Sequence, residues 1–422
     1  MRYYSTRDKT LAVGFQEAVQ HGLAPDGGLF FPDRIERLSE EFFRKIPEYS
    51  LPDIGMYVLR NFIPPVIEDH ILRQVLDQAL NFPIPIVKVT EHIFALELFH
   101  GPTLAFKDFG ARFMGHILPY CMDRGEEITV LVATSGDTGS AVAHGFYTVP
   151  GVHVVVLYPK GKVSALQELQ MTTLGENITA IAVEGTFDDC QKLVKQMFTD
   201  GDLNKRRALT SANSINIARW LPQSLYYFLT QKVLKSPVIA VPSGNLGNFT
   251  AGVLAQRMGL PVSHFIAACN ANDVIPQYLQ TGKFIAKSSI RTVANAMDVG
   301  NPSNFERLLE LYHGDYLKIK ASVNTTSYTD AQILYTIKTC YDSTGYVLDP
   351  HGATAYQALF ENGGDGVFLA TAHPAKFADI YDVLGIPIDT PESLRKLEGR
   401  EIRSVSMGSR LEELKEFLLG PG

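Results

Sequence analysis

One lysine in this chain stands in a setting that could give it chemical reactivity. Lys107 lies between two aromatic residues, Phe106 and Phe109, and follows a Gly-Pro turn. Aromatic neighbours can exclude water from an ε-amino group and lower its pKa, and a neutral amine can attack a carbonyl to form a Schiff base. Most lysines are ordinary surface residues, so this motif indicates chemistry only in combination with other signals.

Three polar loops each follow an apolar run that predicts a buried strand. The first, 134–140, is rich in hydroxyl groups and glycine and leads into a helical pattern, so its N–H groups could hold an anion. The second, 242–248, contains two glycines, which supply the positive φ angles that a phosphate-binding turn often needs. The third begins at Thr371, whose hydroxyl could face the same crevice. Taken singly, the first loop could equally be a capped structural turn, the second favours phosphate binding over a plain tight turn, and Thr371 is better explained as a structural residue.

Taken together, these parts suggest one cofactor. A desolvated lysine, a phosphate-binding loop and a neutral hydroxyl are what pyridoxal 5′-phosphate (PLP) requires in one class of folds. Lys107 would form the Schiff base, the 242–248 loop would take the phosphate, and Thr371 would meet the pyridine nitrogen. The cofactor acts as the electron sink, and the protein sets geometry and electrostatics.

The elements that must position these loops form an α/β pattern after about residue 85. Glycine-bearing turns and helical patterns alternate with apolar runs, which indicates right-handed βαβ units and a doubly wound α/β architecture. In such sheets ligands bind at the carboxyl ends of the strands, where the three loops lie. The near-continuous hydrophobicity of the runs predicts parallel strands buried on both faces, at 128–133, 152–157, 178–183, 238–241, 265–268 and 367–370.

The chain divides into three predicted parts. Helical patterns dominate residues 1–85, and prolines at the end of this region predict a linker. We therefore expect an additional mainly helical N-terminal region over 1–85, beside two doubly wound α/β lobes. The large PLP-binding α/β domain is predicted over 86–114 and 220–422, and the small α/β domain over 115–219.

Composition narrows the class of protein. The 422 residues are 45% apolar and 20% charged, which is ordinary for a globular protein of two or three domains. A net charge of −7 argues against nucleic-acid binding. No apolar run reaches the ~20 residues of a membrane span, and the first residues do not resemble a secretion signal. The four cysteines are far apart, which argues against a zinc or other metal site and against disulfides, and favours reduced thiols in a cytoplasmic enzyme.

Long ordered strings in the chain resemble the threonine synthase family, within the fold type II (tryptophan synthase β-like) group of PLP enzymes. One departure lies in the phosphate loop, where family members often carry Phe in place of Leu246 and some carry Asp in place of Asn248. Both glycines of the loop are kept. The resembling segments run through most of the chain, at 28–32, 97–108, 133–139, 158–164, 211–219, 295–299 and 371–377.

The resemblance implies a role for each part of the motif set. His100, His351 and His373 are expected to be structural. Residues implied in cofactor binding are Lys107, Gly244, Asn245, Leu246, Gly247, Asn248, Thr371 and Asp137, the last near the cofactor's 3′-oxygen. Residues implied at the substrate's carboxylate are Thr134, Ser135 and Thr138. Residues implied at the substrate's phosphate are Ser214, Asn216 and Arg219, with Lys160 and Lys162 as weaker candidates.

The resemblance also implies an activity. A lyase of this family converts O-phospho-L-homoserine and water into L-threonine and phosphate by PLP-dependent β,γ-elimination and replacement, the last step of threonine biosynthesis. We expect a monomer or homodimer. One alternative is another fold type II lyase, such as a serine or threonine dehydratase or a phospholyase that stops after elimination. A second alternative is a non-catalytic binding protein that has kept the fold. The intact Lys107 motif argues against this alternative.

Overall fold

The computed structural model describes residues 1–123 and 125–420, without the side chains of Thr199 and Asn204. In this part of the chain no helix is both long and apolar enough to cross a membrane. The strands are β1 (Tyr3–Ser5), β2 (Ala12–Val13), β3 (Phe30–Pro32), β4 (Ile86–Lys88), β5 (Ile93–Glu97), β6 (Ile128–Ala133), β7 (Val152–Pro159), β8 (Ile178–Val183), β9 (Ala208–Ser211), β10 (Val238–Pro242), β11 (His264–Cys269), β12 (Val323–Ser327), β13 (Gly366–Ala370) and β14 (Ser404–Met407).

Helices connect and cover these strands. The α-helices are α1 (Phe15–His21), α2 (Glu40–Lys45), α3 (Leu51–Leu59), α4 (Asp69–Ala79), α5 (Lys107–Ile117), α6 (Asp137–Gly145), α7 (Ala165–Thr172), α8 (Phe187–Thr199), α9 (Gly201–Asn204), α10 (Ile217–Trp220), α11 (Gly247–Arg257), α12 (Val274–Thr281), α13 (Phe305–Leu311), α14 (Tyr316–Ser322), α15 (Asp330–Thr344), α16 (Pro350–Glu361), α17 (Ala378–Leu384), α18 (Glu392–Arg395) and α19 (Leu411–Leu419). The 3₁₀ segments are Ile46–Glu48, Leu118–Tyr120, Leu221–Lys232, Asn295–Met297 and Pro374–Phe377.

The larger sheet has six strands in the order β12-β11-β10-β13-β5-β4. Every neighbouring pair is parallel except β4 and β5. The inner strands β10, β11 and β13 are apolar and almost wholly buried, because helices cover both faces of a parallel sheet. The predicted parallel strands are confirmed, and the inner strand β5 and the edge strands β4 and β12 are additions that the sequence analysis did not predict.

The smaller sheet has five parallel strands in the order β14-β8-β7-β6-β9. Its edge strand β14 pairs with β8, and Leu414 and Leu418 of α19 share a core with Leu193 and Met197 of α8. The segment from β14 onward therefore lies on the small sheet, whereas the sequence-based division assigned it to the large domain. The strand is short, polar and largely exposed, so no buried pattern marked it.

The N-terminal region combines four helices, α1 to α4, with a small antiparallel sheet of order β2-β1-β3. The helices agree with the prediction for this region. The sheet was not predicted, because strands of two or three residues are too short to show an alternating pattern.

Helices α5 and α6 approach each other closely at their C-terminal ends. A Cβ added to Gly115 of α5 would lie 2.0 Å from the carbonyl oxygen of Gly145 in α6, so only glycine permits this contact. Helix α5 begins at Lys107 and α6 begins at Asp137, and both residues line one cavity. The close packing of the two helices thus fixes the relative position of these two side chains.

Candidate active site

Lys107 is the first residue of α5 and its loop is fixed to the end of a strand. The Phe106 N–H donates to the carbonyl oxygen of Thr371 at 2.9 Å. The lysine Nζ lies 5.7 Å from the centre of the Phe106 ring, while the Phe109 ring packs against other aromatic side chains. Burial lowers the pKa of Lys107 to about 8; Arg219 adds to this effect and the nearby Asp137 opposes it. The sequence prediction of a lysine with a lowered pKa therefore has a structural basis.

The loop between β6 and α6 is held by one of its own hydroxyls. Thr134 Oγ1 accepts hydrogen bonds from the N–H groups of Gly136 at 2.9 Å and Gly139 at 2.8 Å, and it donates to the Gly136 carbonyl oxygen. This side chain is buried and shapes the loop. Ser135 and Thr138 also line the cavity and are only partly buried, so their hydroxyls can face a ligand.

Asp137 forms a buried ion pair that the sequence analysis did not identify. Its Oδ1 lies 2.6 Å from Lys376 Nζ and accepts a hydrogen bond from Gln167 Nε2 at 2.9 Å. Burial alone would raise the pKa of this carboxyl, but the charges of Lys376 and Lys107 hold it well below its usual value. Asp137 is therefore a fixed carboxylate in the same cavity as Lys107.

The loop 242–248 ends at the first turn of α11, as the phosphate-loop prediction requires. The left-handed backbone conformation occurs at Leu246, with φ +60°, and neither glycine of the loop has a positive φ. The reason for Gly244 is instead a close contact, because a Cβ there would lie 2.7 Å from the Cα of Met297. The expectation that the glycines supply positive φ angles was wrong. The turn at the start of the helix is present.

Asn248 presents an amide donor to this loop. The hydroxyls of Tyr226 and Tyr227 donate to its Oδ1 at 2.6 and 2.7 Å. Because the oxygen side of the amide is held in this way, Nδ2 points the other way, and it is buried with no hydrogen-bond partner among residues 1–123 and 125–420. Asn248 lines the cavity. A buried donor without an acceptor beside a helix N-terminus indicates an anion site.

The rest of the loop is fixed by side-chain hydrogen bonds. Asn245 Nδ2 donates to Ser214 Oγ at 3.0 Å, and its Oδ1 accepts from the Ser303 N–H at 2.6 Å. Asn304 Nδ2 also donates to Ser214 Oγ, at 3.1 Å. With both bonds accepted, the Ser214 hydroxyl still has its own proton to donate, and Ser214 lines the cavity.

Arg219 is a buried cation without a carboxylate partner in the described part of the chain. Its Nη1 donates to the Ala212 carbonyl oxygen, and its Nε is buried without a partner there. Burial lowers the pKa of its guanidinium to about 10, against the opposing field of Asp108. Since a buried charge is costly unless it is paired, an anion in this cavity would be strongly favoured.

Asn216 does not join this group. Its Oδ1 accepts from the Ala218 N–H at 2.9 Å as the cap of α10, and its Nδ2 donates to the carbonyl oxygens of Val19 and Ser211. It is fully buried and lies outside the cavity lining. The weaker candidate Lys160 lies on the surface, paired with Glu184 at 3.2 Å.

Thr371 follows β13 and lines the cavity. His351, also in the lining, has its Nδ1 2.9 Å from Asp349 Oδ1, and its Nε2 accepts from the Ala296 N–H at 3.2 Å. His373 accepts from the Ala375 N–H at 3.1 Å, and burial lowers its pKa to about 4. These two histidines are thus engaged with the backbone, in agreement with the structural role expected for them.

The cavity has a volume of about 130 Å³ and lies between the carboxyl ends of the two sheets. A larger cavity of about 1000 Å³ adjoins it and is bordered by the N-terminal region, α8 and the 284–306 segment. Predicted site residues in the lining are Lys107, Thr134, Ser135, Asp137, Thr138, Ser214, Arg219, Gly244, Asn245, Leu246, Gly247, Asn248 and Thr371.

The residues present fit PLP. The cofactor needs an amine for its aldehyde, donors for its phosphate and a neutral group for its ring nitrogen. Lys107 supplies the amine, and Asn248 Nδ2 and the N-terminus of α11 supply donors. Thr371 supplies a hydroxyl at the end of β13, the strand next to β10.

Comparisons with known proteins agree with this fit. A family profile described as pyridoxal-phosphate dependent enzyme matches residues 80–368. Profiles described as threonine synthase N terminus and threonine synthase, C-terminal, match residues 2–80 and 351–418.

Individual relatives match along nearly the whole chain. The threonine synthase of Haemophilus influenzae is 43% identical over 99% of this chain and 100% of its own length. The structure of Escherichia coli threonine synthase superposes with a TM-score of 0.93 at 40% identity, covering 99% of both chains. A PLP-bound threonine synthase from Brucella melitensis superposes with a TM-score of 0.93 at 34% identity, covering 99% of this chain and 98% of its own. With a reactive lysine, an anion cradle and full-length similarity in agreement, this chain belongs to the threonine synthases, PLP-dependent lyases of fold type II.

Proposed function

We propose that this threonine synthase takes O-phospho-L-homoserine and water as substrates and forms L-threonine and inorganic phosphate in the cavity around Lys107. The observation that best supports the proposal is a pair of buried donors that lack partners in the part of the chain described, Asn248 Nδ2 and Arg219 Nε. They belong to different elements, and the substrate and the cofactor each bring one phosphate group. The two separate donors could therefore bind the two phosphate groups, one donor for each.

The cofactor's phosphate is assigned to the α11 end of the cavity. Gly244 keeps the loop close to Met297, Leu246 turns it, and the first N–H groups of α11 and Asn248 Nδ2 serve as donors. The residues proposed to hold the cofactor are Lys107, Gly244, Asn245, Leu246, Gly247, Asn248, Thr371 and Asp137.

The substrate is assigned to the two remaining groups of donors. Ser135 and Thr138, with the N–H groups at the start of α6, would bind its carboxylate, around the loop shape that Thr134 maintains. Arg219 and the free proton of the Ser214 hydroxyl would bind its phosphate. Asn216 supports this region as a helix cap, and we do not assign it a ligand contact.

Lys107 is proposed to carry the protons. When bound, PLP withdraws electrons from the substrate and so stabilises negative charge on carbons near its amino group. The Lys107 amine would take the Cα proton and later return it. It would also take one Cβ proton as the Cγ–O bond to phosphate breaks, and would deliver a proton to Cγ after the phosphate has left. Water then supplies the hydroxyl on Cβ and the proton on the departing phosphate. An amine that serves several carbons works best with a pKa near neutrality, and that of Lys107 is lowered to about 8.

The surrounding structure would limit other reactions. The cavity is narrow and lies behind the larger cavity, so bulk water would be displaced when substrate enters. We further propose that the enzyme works in the cytoplasm as a monomer or homodimer. Its four cysteines are free and buried, which suits a reducing compartment.

The proposal is tested with purified, PLP-loaded enzyme and O-phospho-L-homoserine. Phosphate, threonine and 2-oxobutyrate are measured in the same reaction. We expect equal amounts of phosphate and threonine, and no turnover in Lys107→Ala, whose PLP should also not become covalently attached on borohydride reduction. Phosphate release accompanied by 2-oxobutyrate would instead identify a lyase that stops after elimination.

A further inference from the structure

A lysine with no assigned role lies behind the cavity. Lys376 is fully buried, in the 3₁₀ segment that follows β13. Its Nζ lies 2.6 Å from Asp137 Oδ1 and donates to the Thr103 carbonyl oxygen at 2.9 Å. It is not part of the cavity lining, so it would reach a ligand only through its neighbours.

The contacts of this one ammonium group join three separate parts of the site. Lys376 comes from the end of the large sheet, Asp137 begins α6 on the small sheet, and Thr103 lies in the loop that leads to Lys107. Gln170 of α7 donates to the same Thr103 carbonyl oxygen at 3.2 Å, and Gln167 of α7 donates to Asp137. The ion pair is thus the charged centre of a buried network that spans both sheets.

Physical chemistry explains what the lysine does for Asp137. A buried carboxylate is stable only if it is paired, and removal of one partner leaves an uncompensated charge. Lys107 cannot be the permanent partner, because its own amine must be neutral to react. Lys376 provides a positive charge that is not consumed in the reaction.

We propose that Lys376 is a positioning residue that holds Asp137 ionised and in place opposite Lys107, where the carboxylate faces bound PLP. The inference rests on the proposed function only in taking this cavity as the PLP site. The charged and titratable groups that face the pair are Lys107, Asp108, His144 and His373, and Arg219 in turn lies beside Lys107.

The test compares Lys376→Met, which keeps the length and removes the charge, with Lys376→Arg, which keeps the charge. Each is loaded with PLP, and the visible absorption band of the bound cofactor is titrated over pH. We expect Lys376→Met to shift the titration midpoint and to lower kcat by about tenfold to a hundredfold with KM little changed, since misplaced catalytic groups cost that much. Lys376→Arg should recover part of both effects.

Lys415→Met is the matched control, because Lys415 forms a 2.7 Å ion pair with Asp200 away from the cavity. It should leave the spectrum and kcat unchanged. If Lys376→Met fails to fold, the double variant Lys376→Met/Asp137→Asn removes both charges. It should fold and show the altered titration. The proposal is overturned if the folded single or double variant keeps the wild-type spectrum at every pH and the wild-type kcat. A wild-type enzyme that neither binds PLP nor forms threonine would instead count against the proposed function.

Discussion

The hydroxyl of Tyr226 donates to Asn248 Oδ1 at 2.6 Å, and this bond decides which side of the asparagine faces the cavity. Tyr227 donates to the same oxygen at 2.7 Å. Burial raises the pKa of both tyrosine hydroxyls, so both remain protonated donors at any working pH. The amide nitrogen is therefore held toward the site that we assign to the cofactor's phosphate.

This relationship predicts that Tyr226→Phe weakens PLP binding although Tyr226 does not touch the cavity. Loss of one such bond typically costs about 0.5–1.5 kcal/mol, so we expect the Kd for PLP to rise by roughly twofold to tenfold. The effect should be larger in Tyr226→Phe/Tyr227→Phe, because the amide is then free to rotate. Equilibrium titration of the cofactor-free enzyme with PLP measures this.

Tyr381→Phe serves as the control for lost stability. Its hydroxyl donates to the Leu348 carbonyl oxygen at 2.7 Å and is equally buried, but it is not near Asn248. We expect a similar fall in Tm with an unchanged Kd. Equal Kd values in all these variants would show that the tyrosines do not orient Asn248.

A second prediction separates the two glycines of the phosphate loop. Gly244→Ala places a Cβ 2.7 Å from the Met297 backbone, whereas Gly247→Ala meets the Ser214 side chain at 3.1 Å. Backbone yields less easily than a side chain, and overpacking costs about 1–3 kcal/mol. We therefore expect Gly244→Ala to raise the Kd for PLP by about tenfold or more, and Gly247→Ala to raise it less.

Gly14→Ala is a suitable control for this pair, because nothing lies within 4 Å of the added Cβ. Its Kd should equal that of the unmodified enzyme. A greater loss in Gly247→Ala than in Gly244→Ala would mean that the contact with Ser214, and not the contact with Met297, limits the shape of the loop.

A third prediction concerns the pH at which the Lys107 amine becomes reactive, since its pKa is lowered. Without cofactor the amine should become reactive as pH rises through about 8, because the neutral form is the nucleophile. An ordinary lysine would respond near 10.4. Asp137 raises the pKa of Lys107, so Asp137→Asn should move the midpoint to lower pH. The rate of covalent PLP attachment, trapped by borohydride and followed by mass spectrometry over pH, measures the midpoint. A midpoint near 10 would rule out a lowered pKa for Lys107.

Much of the fold could be predicted because its central strands leave a strong signal. β6 and β8 are short apolar runs rich in β-branched residues, with a turn after each, and buried parallel strands have this pattern. The edge strands β12 and β14 do not show this pattern, because they carry polar residues that are partly or largely exposed. β9 is buried but has only four residues, two of them polar, and the inner strand β5 has only five, so neither left a clear apolar run. Only pairing across the folded chain reveals them.

In the candidate site, too, residues in a local sequence motif could be predicted, whereas residues linked only through distant contacts could not. Lys107 was predicted from its aromatic neighbours and the Gly-Pro turn before it. Asp137 and the 242–248 loop were predicted because each stands in a polar loop directly after a strand. Lys376 lies in the segment 371–377, but the sequence does not predict a role for it, because its partner Asp137 is far away along the chain and no local pattern links them. Asn216 was implied at the substrate's phosphate by the family resemblance, but its Oδ1 caps α10 and its Nδ2 donates to backbone carbonyl oxygens, so both ends of its amide already have partners.

The last prediction decides which phosphate Arg219 serves. Arg219→Ala should raise the KM for O-phospho-L-homoserine by about tenfold to a hundredfold, because a charge-assisted bond contributes roughly 1.5–3 kcal/mol. PLP occupancy should be nearly unchanged, since the cofactor's phosphate is assigned to α11. A phosphonate analogue of the substrate should lose affinity for the variant by a similar factor, and an analogue without the phosphonate should not.

Arg112→Ala is the control, because Arg112 lies on α5 but donates to the Ala79 carbonyl oxygen outside the cavity. If Arg219→Ala instead loses PLP while the KM of the remaining holoenzyme is unchanged, the buried guanidinium belongs to the cofactor, and the substrate's phosphate must bind elsewhere along the cavity.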